Sequence, residues 1–355
     1  MMSYPLARKG MRDPISSLRF DAFEVTWGGP SPTGGFCFGS EDGRVLFTDA
    51  DGDSPSKPRQ VTRSEEAING VAFLQGWMGV STRNEIVSWK SQMEGGAEFL
   101  YGAHDIIAGS SGYFFAPLGR KGLLCYRPSE DPVQTVMIYS DPSASLYFYT
   151  LISLPTPEGG EVLACAARTG GIAAMEFKGE DQPQRLKTAT FQGLDVVDLC
   201  PLLPGEKSTA IAALQRDGTV ILFQDVLNDR QPVTIKYEAI KGTAYRVLSA
   251  RGYLFLLTSE GLYVLFDLVN RFLSGARDAF RTRGRSFPLE AVDANLVGDQ
   301  WILIVMPDGV LRLDISLLQP DPLQVRAPDS FTELASEMLR PSWREQSSPL
   351  VSAVA

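Results

Sequence analysis

The chain has 355 residues, 44% of them hydrophobic and 21% charged, which is enough for two average domains or one large all-β domain with a real core. A formal net charge of -9 argues against a surface for duplex nucleic acid, which needs clustered Lys and Arg to meet phosphate. No apolar run approaches the ~18 residues of a membrane-spanning helix.

Residues 1–13 read as a loose arm, basic but without the apolar stretch of a secretory leader. ISSLRF (15–20) and AFEVTW (22–27) then alternate as short strands. After GGPSPTG come FCFGSE, the pair Asp42-Gly43, RVLFTD, a polar loop and RQVTR. The order is strand, strand, turn, strand, loop, strand.

That order recurs. INGVAF and WMGVST lead through Arg83-Asn84 to EIVSW and EFLYG, and HDIIAG and YFFAPL lead through Lys121-Gly122 to LLCYR and QTVMIYS. LYFYTLISL and EVLACAAR lead through Gly170-Gly171 to IAAMEF and RLKTATF. DVVDLCPL and TAIAALQ lead through Asp217-Gly218 to TVILFQD and PVTIKYE. AYRVLS and YLFLLTS meet LYVLFD at Glu260-Gly261, and VDANLV and WILIVM meet VLRLDI at Asp308-Gly309.

The turn positions 43, 84, 122, 171, 218, 261 and 309 lie on average about 44 residues apart. Two-residue hairpin turns need positive φ, which Gly and Asn supply at low cost. The flanking runs are mostly apolar rather than alternating, as in strands covered on both faces. A period of about 40 to 45 residues with four short strands is that of a propeller blade.

The seven units, over about residues 14–318, resemble degenerate WD40 repeats. The terminal Trp-Asp of that family is echoed by Phe47-Thr48-Asp49, Trp89, Phe223-Gln224-Asp225, Phe266-Asp267 and Leu313-Asp314, and its Gly-His by Gly102-Ala103-His104. The resemblance implies an all-β, seven-bladed β-propeller of four-stranded antiparallel blades. The seventh unit lacks an evident fourth strand, so ISSLRF is expected to complete it and close the ring; QVRAP, after QPDP, is the competing strand.

Function is sought where the repeat departs from its pattern, since insertions map to loops. LVNRFLSGARDAFRTRGRSFPL in unit six carries Arg271, Arg277, Arg281, Arg283 and Arg285 with Phe272 interleaved. Arg beside aromatics suits a docking patch for an acidic protein partner, set against a solvated loop that pairs with neighbouring acids. A helical turn there would put Val269, Phe272 and Leu273 inward. Phosphate held by RTRGR is the weaker version, in a net field of the wrong sign. The tail, 319–355, holds a capping box, Ser330-Phe331-Thr332-Glu333, which predicts a helix near 331–340. Phe331, Leu334 and Met338 share its face and Trp343 follows, for the propeller's own side or for a partner's groove.

No catalytic set emerges, and neither a metal nor a cofactor is expected. Asp49, Asp51 and Asp53 begin like a calcium loop, but Gln60 stands where the bidentate acid belongs. The single histidine, His104, precludes a multi-histidine metal centre. Asp195 and Asp198, three apart in a strand, point to opposite faces. Cys37, Cys125, Cys165 and Cys200 sit in apolar runs without a C-x-x-C pair, so core positions and a reducing, cytoplasmic setting are expected.

The leading expectation is therefore a non-catalytic interaction scaffold, an adaptor subunit of a larger complex. Its candidate contacts are Arg271, Phe272, Arg277, Arg281, Arg283, Arg285, Phe331, Leu334, Met338 and Trp343. The alternative is a binder of a small ligand or peptide in the central channel, using Tyr147, Tyr149, Asp195, Asp198, Tyr245, Arg246 and Asp293. An enzyme using carboxylates or a metal there stands behind both.

Overall fold

The computed structural model describes residues 15–318 except 19–23, 33–34, 49–58, 61–65, 91–97, 100–101, 129–134, 140–146, 168–170, 178–187, 192–193, 229–231, 238–239, 276–282, 288 and 307–308. Among the described residues the strands form seven four-stranded antiparallel sheets. Blade 1 is Val25–Pro30, Phe36–Ser40, Arg44–Phe47 and Arg59–Gln60; blade 2 is Ile68–Leu74, Trp77–Thr82, Ile86–Lys90 and Glu98–Phe99. Blade 3 is Ile107–Ala108, Phe114–Pro117, Leu123–Tyr126 and Thr135–Tyr139; blade 4 is Phe148–Pro155, Glu161–Ala167, Gly171–Phe177 and Thr188–Phe191. Blade 5 is Val196–Pro201, Ile211–Gln215, Val220–Phe223 and Val233–Ile235; blade 6 is Ala244–Ala250, Tyr253–Thr258, Gly261–Phe266 and Arg283–Phe287. Blade 7 joins Asp293–Val297, Trp301–Met306 and Gly309–Asp314 to Ile15–Leu18, which runs antiparallel to Gly309–Asp314 with Ile15 opposite Leu313.

The first strand of each blade contacts the first strand of the next, and blade 7 contacts blade 1, so the first strands ring a central channel. Period-2 alternation then sends successive side chains of the inner strands to opposite neighbours. In blade 1, Phe36 and Phe38 pack against Leu303 and Val305 of blade 7, while Cys37 between them packs toward Ile68 and Val80 of blade 2. Cys165 likewise faces blade 3, and Ala164 and Ala166 face blade 5. Each interface between neighbouring blades thus holds its own apolar core. A large side chain buried there contributes about 1.5–3 kcal/mol. All four cysteines are buried thiols, as their apolar runs foretell.

Two local expectations need correction. The hairpins of blades 1 and 5 are longer than two-residue turns. The Gly43 N–H donates to the Ser40 carbonyl and the Gly218 N–H to that of Gln215, and both glycines take positive φ (80° and 82°). A turn followed by a left-handed glycine suits a longer hairpin loop. Asn84 does not adopt positive φ; the Glu66 carboxylate holds its turn instead, accepting from Asn84 N and Thr82 Oγ1. The segment RGRSF, read as part of an insertion, is the fourth strand of blade 6, with Arg283 opposite Phe266 and Arg285 opposite Val264. An outer strand pairs on one side only and needs no apolar run to do so.

Candidate functional site

Where the first strands begin, beside the turns joining second to third strands, five of them carry a bulge against the second strand. The bulged residues are Thr26, Asn69, Tyr149, Val197 and Tyr245. A bulge frees one side chain from the alternation and re-aims it. Four of the five reach a main-chain carbonyl at the start of the next blade. Thr26 Oγ1 donates to Ile68 O (2.7 Å), Asn69 Nδ2 to Ala103 O (2.9 Å), Tyr149 Oη to Val196 O and Tyr245 Oη to Ala291 O.

The residue after the bulge points into the channel in blades 5 and 6, and there lies a charged cluster. Arg246 of blade 6 meets Asp293 of blade 7 (3.1 Å) and Asp198 of blade 5 (3.5 Å). It also donates to Ala294 O (2.9 Å) and Asn295 Oδ1 (2.7 Å). Asp198 is 2% exposed and accepts from Val247 N (2.8 Å) and, at the limit of reach (3.5 Å), from Thr150 Oγ1. Asp105 of blade 3, half-buried, completes the group. Its Oδ1 accepts from Ile106 N (2.8 Å), just as Asp293 Oδ1 accepts from Ala294 N (2.8 Å).

Two carboxylates therefore share one guanidinium, and a third, Asp105, lies within its electrostatic reach. Burial pushes the Asp105 carboxyl up to about 7 and that of Asp198 up to about 6, with Arg246 pulling both back, and burial also raises Asp293. Burial works against the Arg246 charge, but Asp293, Asp198 and Asp105 outweigh it and hold the guanidinium firmly protonated. Among the described residues no group of three His, Cys, Asp or Glu is placed to hold a metal ion.

The sequence-derived candidates fall into three sets. Asp198, Arg246 and Asp293 come together in the channel. Tyr149 and Tyr245 are spent on the inter-blade hydrogen bonds, and Asp195 pairs with Arg216 at the surface (3.2 Å). Tyr147 lies beside His104, with 3.0 Å between the phenol oxygen and His104 Nε2. Asp105 was missed: it precedes a strand only two residues long, Ile107–Ala108, and the sequence signal was an acid near the start of a first strand, as Asp293 is.

Of the proposed contacts, Phe272 belongs to the interior. The short helix Leu268–Leu273 packs Leu268, Val269 and Phe272 into the core between blades 5 and 6, and Phe272 is 5% exposed. The ring is thus unavailable to a partner, consistent with the inward face expected of that turn. Arg271 is half-buried at the helix end, and Arg283 and Arg285 stand two apart in the outer strand. Arg277, Arg281, Phe331, Leu334, Met338, Trp343 and the predicted helix near 331–340 lie outside the described residues, as do Asp49, Asp51 and Asp53. In the Trp-Asp echoes the acid serves its own turn: Asp225 accepts from Leu227 N (3.0 Å) and Asp314 from Ser316 N (2.9 Å).

No family model matches the chain, and no curated protein matches it. Solved structures do. The Cps50 (Swd1) β-propeller domain of Myceliophteria thermophila superposes with a TM-score of 0.62 at 11% identity, over 83% of this chain and 97% of that one. The RRP9 WD40 repeats match with a TM-score of 0.63 at 10% identity, over 84% and 97% of the two chains. U3-55K matches with a TM-score of 0.63 at 11% identity, over 85% and 98%. The fold is that of a WD40-type β-propeller. At this identity the likeness speaks for the propeller alone, and what the propeller binds rests on its own residues.

Proposed function

We propose that this propeller is a non-catalytic interaction scaffold, a rigid disc that holds an acidic protein partner at the outer edge of blade 6. The observation that carries the reading is the placement of Arg283 and Arg285 at alternate positions of the outermost strand. That strand pairs with Gly261–Phe266 on one side and with no strand on the other among the described residues. Arg271 lies in the last turn of the helix nearby in sequence, and Arg277 and Arg281 lie between, so five arginines fall within fifteen residues of a chain with net charge -9. Guanidinium forks suit carboxylates bidentately, and an open strand edge offers main-chain partners as well. Four unpaired cysteines fit a reducing, cytoplasmic setting. Phe331, Leu334, Met338 and Trp343 are proposed as a second contact.

Co-purification from native extract after nuclease treatment tests this. A stoichiometric protein partner should be retained by the wild type and lost from the Arg271→Glu/Arg283→Glu/Arg285→Glu variant. Retention by the variant refutes the blade 6 assignment, and loss on nuclease treatment alone refutes a protein partner. Truncation after residue 329 tests the tail separately and should weaken the same complex.

A further inference from the structure

Each blade ends in an outer strand, and among the described residues six of the seven are short or broken. Arg59–Gln60 and Glu98–Phe99 are two residues long, and Val233–Ile235 is three and follows Pro232. Ile15–Leu18 and Thr188–Phe191 have four residues each. Thr135–Tyr139 has five, but its register against Leu123–Tyr126 shifts between Leu123 and Leu124. Short, bulged and proline-flanked edges resist the addition of a further strand. Blade 6 differs: its outer strand keeps five residues in unbroken antiparallel register, from Arg283 opposite Phe266 to Phe287 opposite Leu262.

That register also sorts the two faces of the strand, because residues directly opposite in a sheet share a face. Positions 283, 285 and 287 share the face of Phe266, Val264 and Leu262, which pack with Phe287 into the core between blades 6 and 7. Positions 284 and 286 share the face of Leu265 and Tyr263, turned to blade 5. Two arginines thus stand two apart on one face, and the positions on the other, Gly284 and Ser286, are small. No other outer strand among the described residues carries more than one basic residue. The outer strand of blade 7, on the side that positions 283 and 285 face, is ISSL and brings no acid.

We infer that blade 6 takes a strand of its partner as a fifth strand, and that this strand carries carboxylates at alternate positions. The inference rests on the reading of blade 6 as the partner edge and names the kind of segment that edge holds. Main-chain pairing along Arg283–Phe287 gives the affinity, and the arginines fix the register. Carboxylates two apart lie on one face of an extended chain and meet positions 283 and 285 together, whereas carboxylates one or three apart fall on opposite faces. The residue between them lies across from Gly284, where no side chain opposes it. A second copy of this chain is disfavoured as the occupant, because pairing edge to edge sets arginine against arginine.

The test is fluorescence anisotropy of labelled hexapeptides titrated with the full chain. The alternating peptide Thr-Glu-Val-Glu-Val-Thr should bind saturably. Its isomer Thr-Glu-Glu-Val-Val-Thr, equal in charge and composition, should bind about fivefold more weakly, the weight of one cross-strand charge pair. N-methylation reports on the main chain, since alternate N–H groups of a strand point to opposite edges. Of two methylated versions, one at both glutamates and one at both valines, one should lose about tenfold in affinity and the other should keep it. Arg283→Glu/Arg285→Glu should also bind the alternating peptide about tenfold more weakly. No saturable binding below about 1 mM, equal binding of the two isomers, or like behaviour of the two methylated versions overturns strand addition. Those comparisons use the wild-type chain, so they decide the matter even if the variant does not fold. Peptides that fail while the native partner is still lost from the charge-reversed protein overturn strand addition and leave the partner edge standing. A partner retained by that protein overturns the edge itself.

Discussion

Replacing Arg246 by Met keeps the length of the stem and removes the only cation that Asp198 and Asp293 contact among the described residues. Asp198 has a side chain 3% exposed and Asp293 one 18% exposed, so both carboxylates would be stranded with little water. Removing one partner of a buried ion pair costs about 3–5 kcal/mol, because the remaining charge is left uncompensated. The lost hydrogen bonds to Ala294 O and Asn295 Oδ1 lie within that range rather than on top of it. Urea denaturation at pH 8 should therefore place Arg246→Met about 3–5 kcal/mol below the wild type. Two further measurements separate charge from packing. At pH 5 the stranded carboxyls can take protons, so the deficit should shrink to about half. The Arg246→Met/Asp198→Asn double variant should regain at least half of the loss at pH 8, since one of the two uncompensated charges is gone. A deficit under about 1 kcal/mol, or a double variant whose losses simply add, refutes the view of Arg246 as the charge centre of blades 5, 6 and 7.

Stability should fall as pH rises from about 4 to 7. The folded Asp105 and Asp198 hold protons that the unfolded chain has released above the ordinary carboxylate value of 3.8, so the native state binds more protons across that window. Each such proton is worth at most about 1.4 kcal/mol per pH unit, and Asp105→Asn should flatten the Tm-against-pH curve at its upper end. Deleting residues 1–18 leaves the Gly309–Asp314 edge unpaired, and a Tm lower by several degrees with self-association on size-exclusion chromatography is expected. An unchanged Tm and a monomer would show that the pairing of Ile15–Leu18 contributes little. Gly102→Ala should cost about 3 kcal/mol or more by denaturation, because its Cβ would lie 1.5 Å from the Arg83 carbonyl oxygen, a backbone atom unable to yield.

The ring was legible in the sequence because its two causes are local. Glycine recurs at the turns, and two-sided burial makes strands such as TAIAAL and YLFLLT apolar throughout. Even the pairing of Ile15–Leu18 with the last blade follows from counting strands. The fourth strand of blade 6 escaped for the converse reason: RGRSF has an edge to itself, where neither apolarity nor alternation is required. At the channel, the residues Asp198, Arg246 and Asp293 were visible as polar interruptions of first strands. The placement of Asp198 and Arg246 depends on bulges, which shift one residue and leave no mark in composition. Tyr149 and Tyr245, read by the same rule as channel groups, are turned by those bulges to the neighbouring blade.

The side chains that bracket successive blades have an asymmetry with a consequence for how such a chain can change. Thr26, Asn69, Tyr149 and Tyr245 are donors of three sizes and chemistries, whereas their acceptors are all main-chain carbonyls. A carbonyl is supplied by any residue, so the receiving blade is free to vary in sequence without breaking the joint. Only the donor is constrained, and hydroxyl, amide and phenol all serve. A joint with one half fixed by the backbone and the other open to several residue types lets the units on either side of these four joints diverge while each still finds its place in the circle.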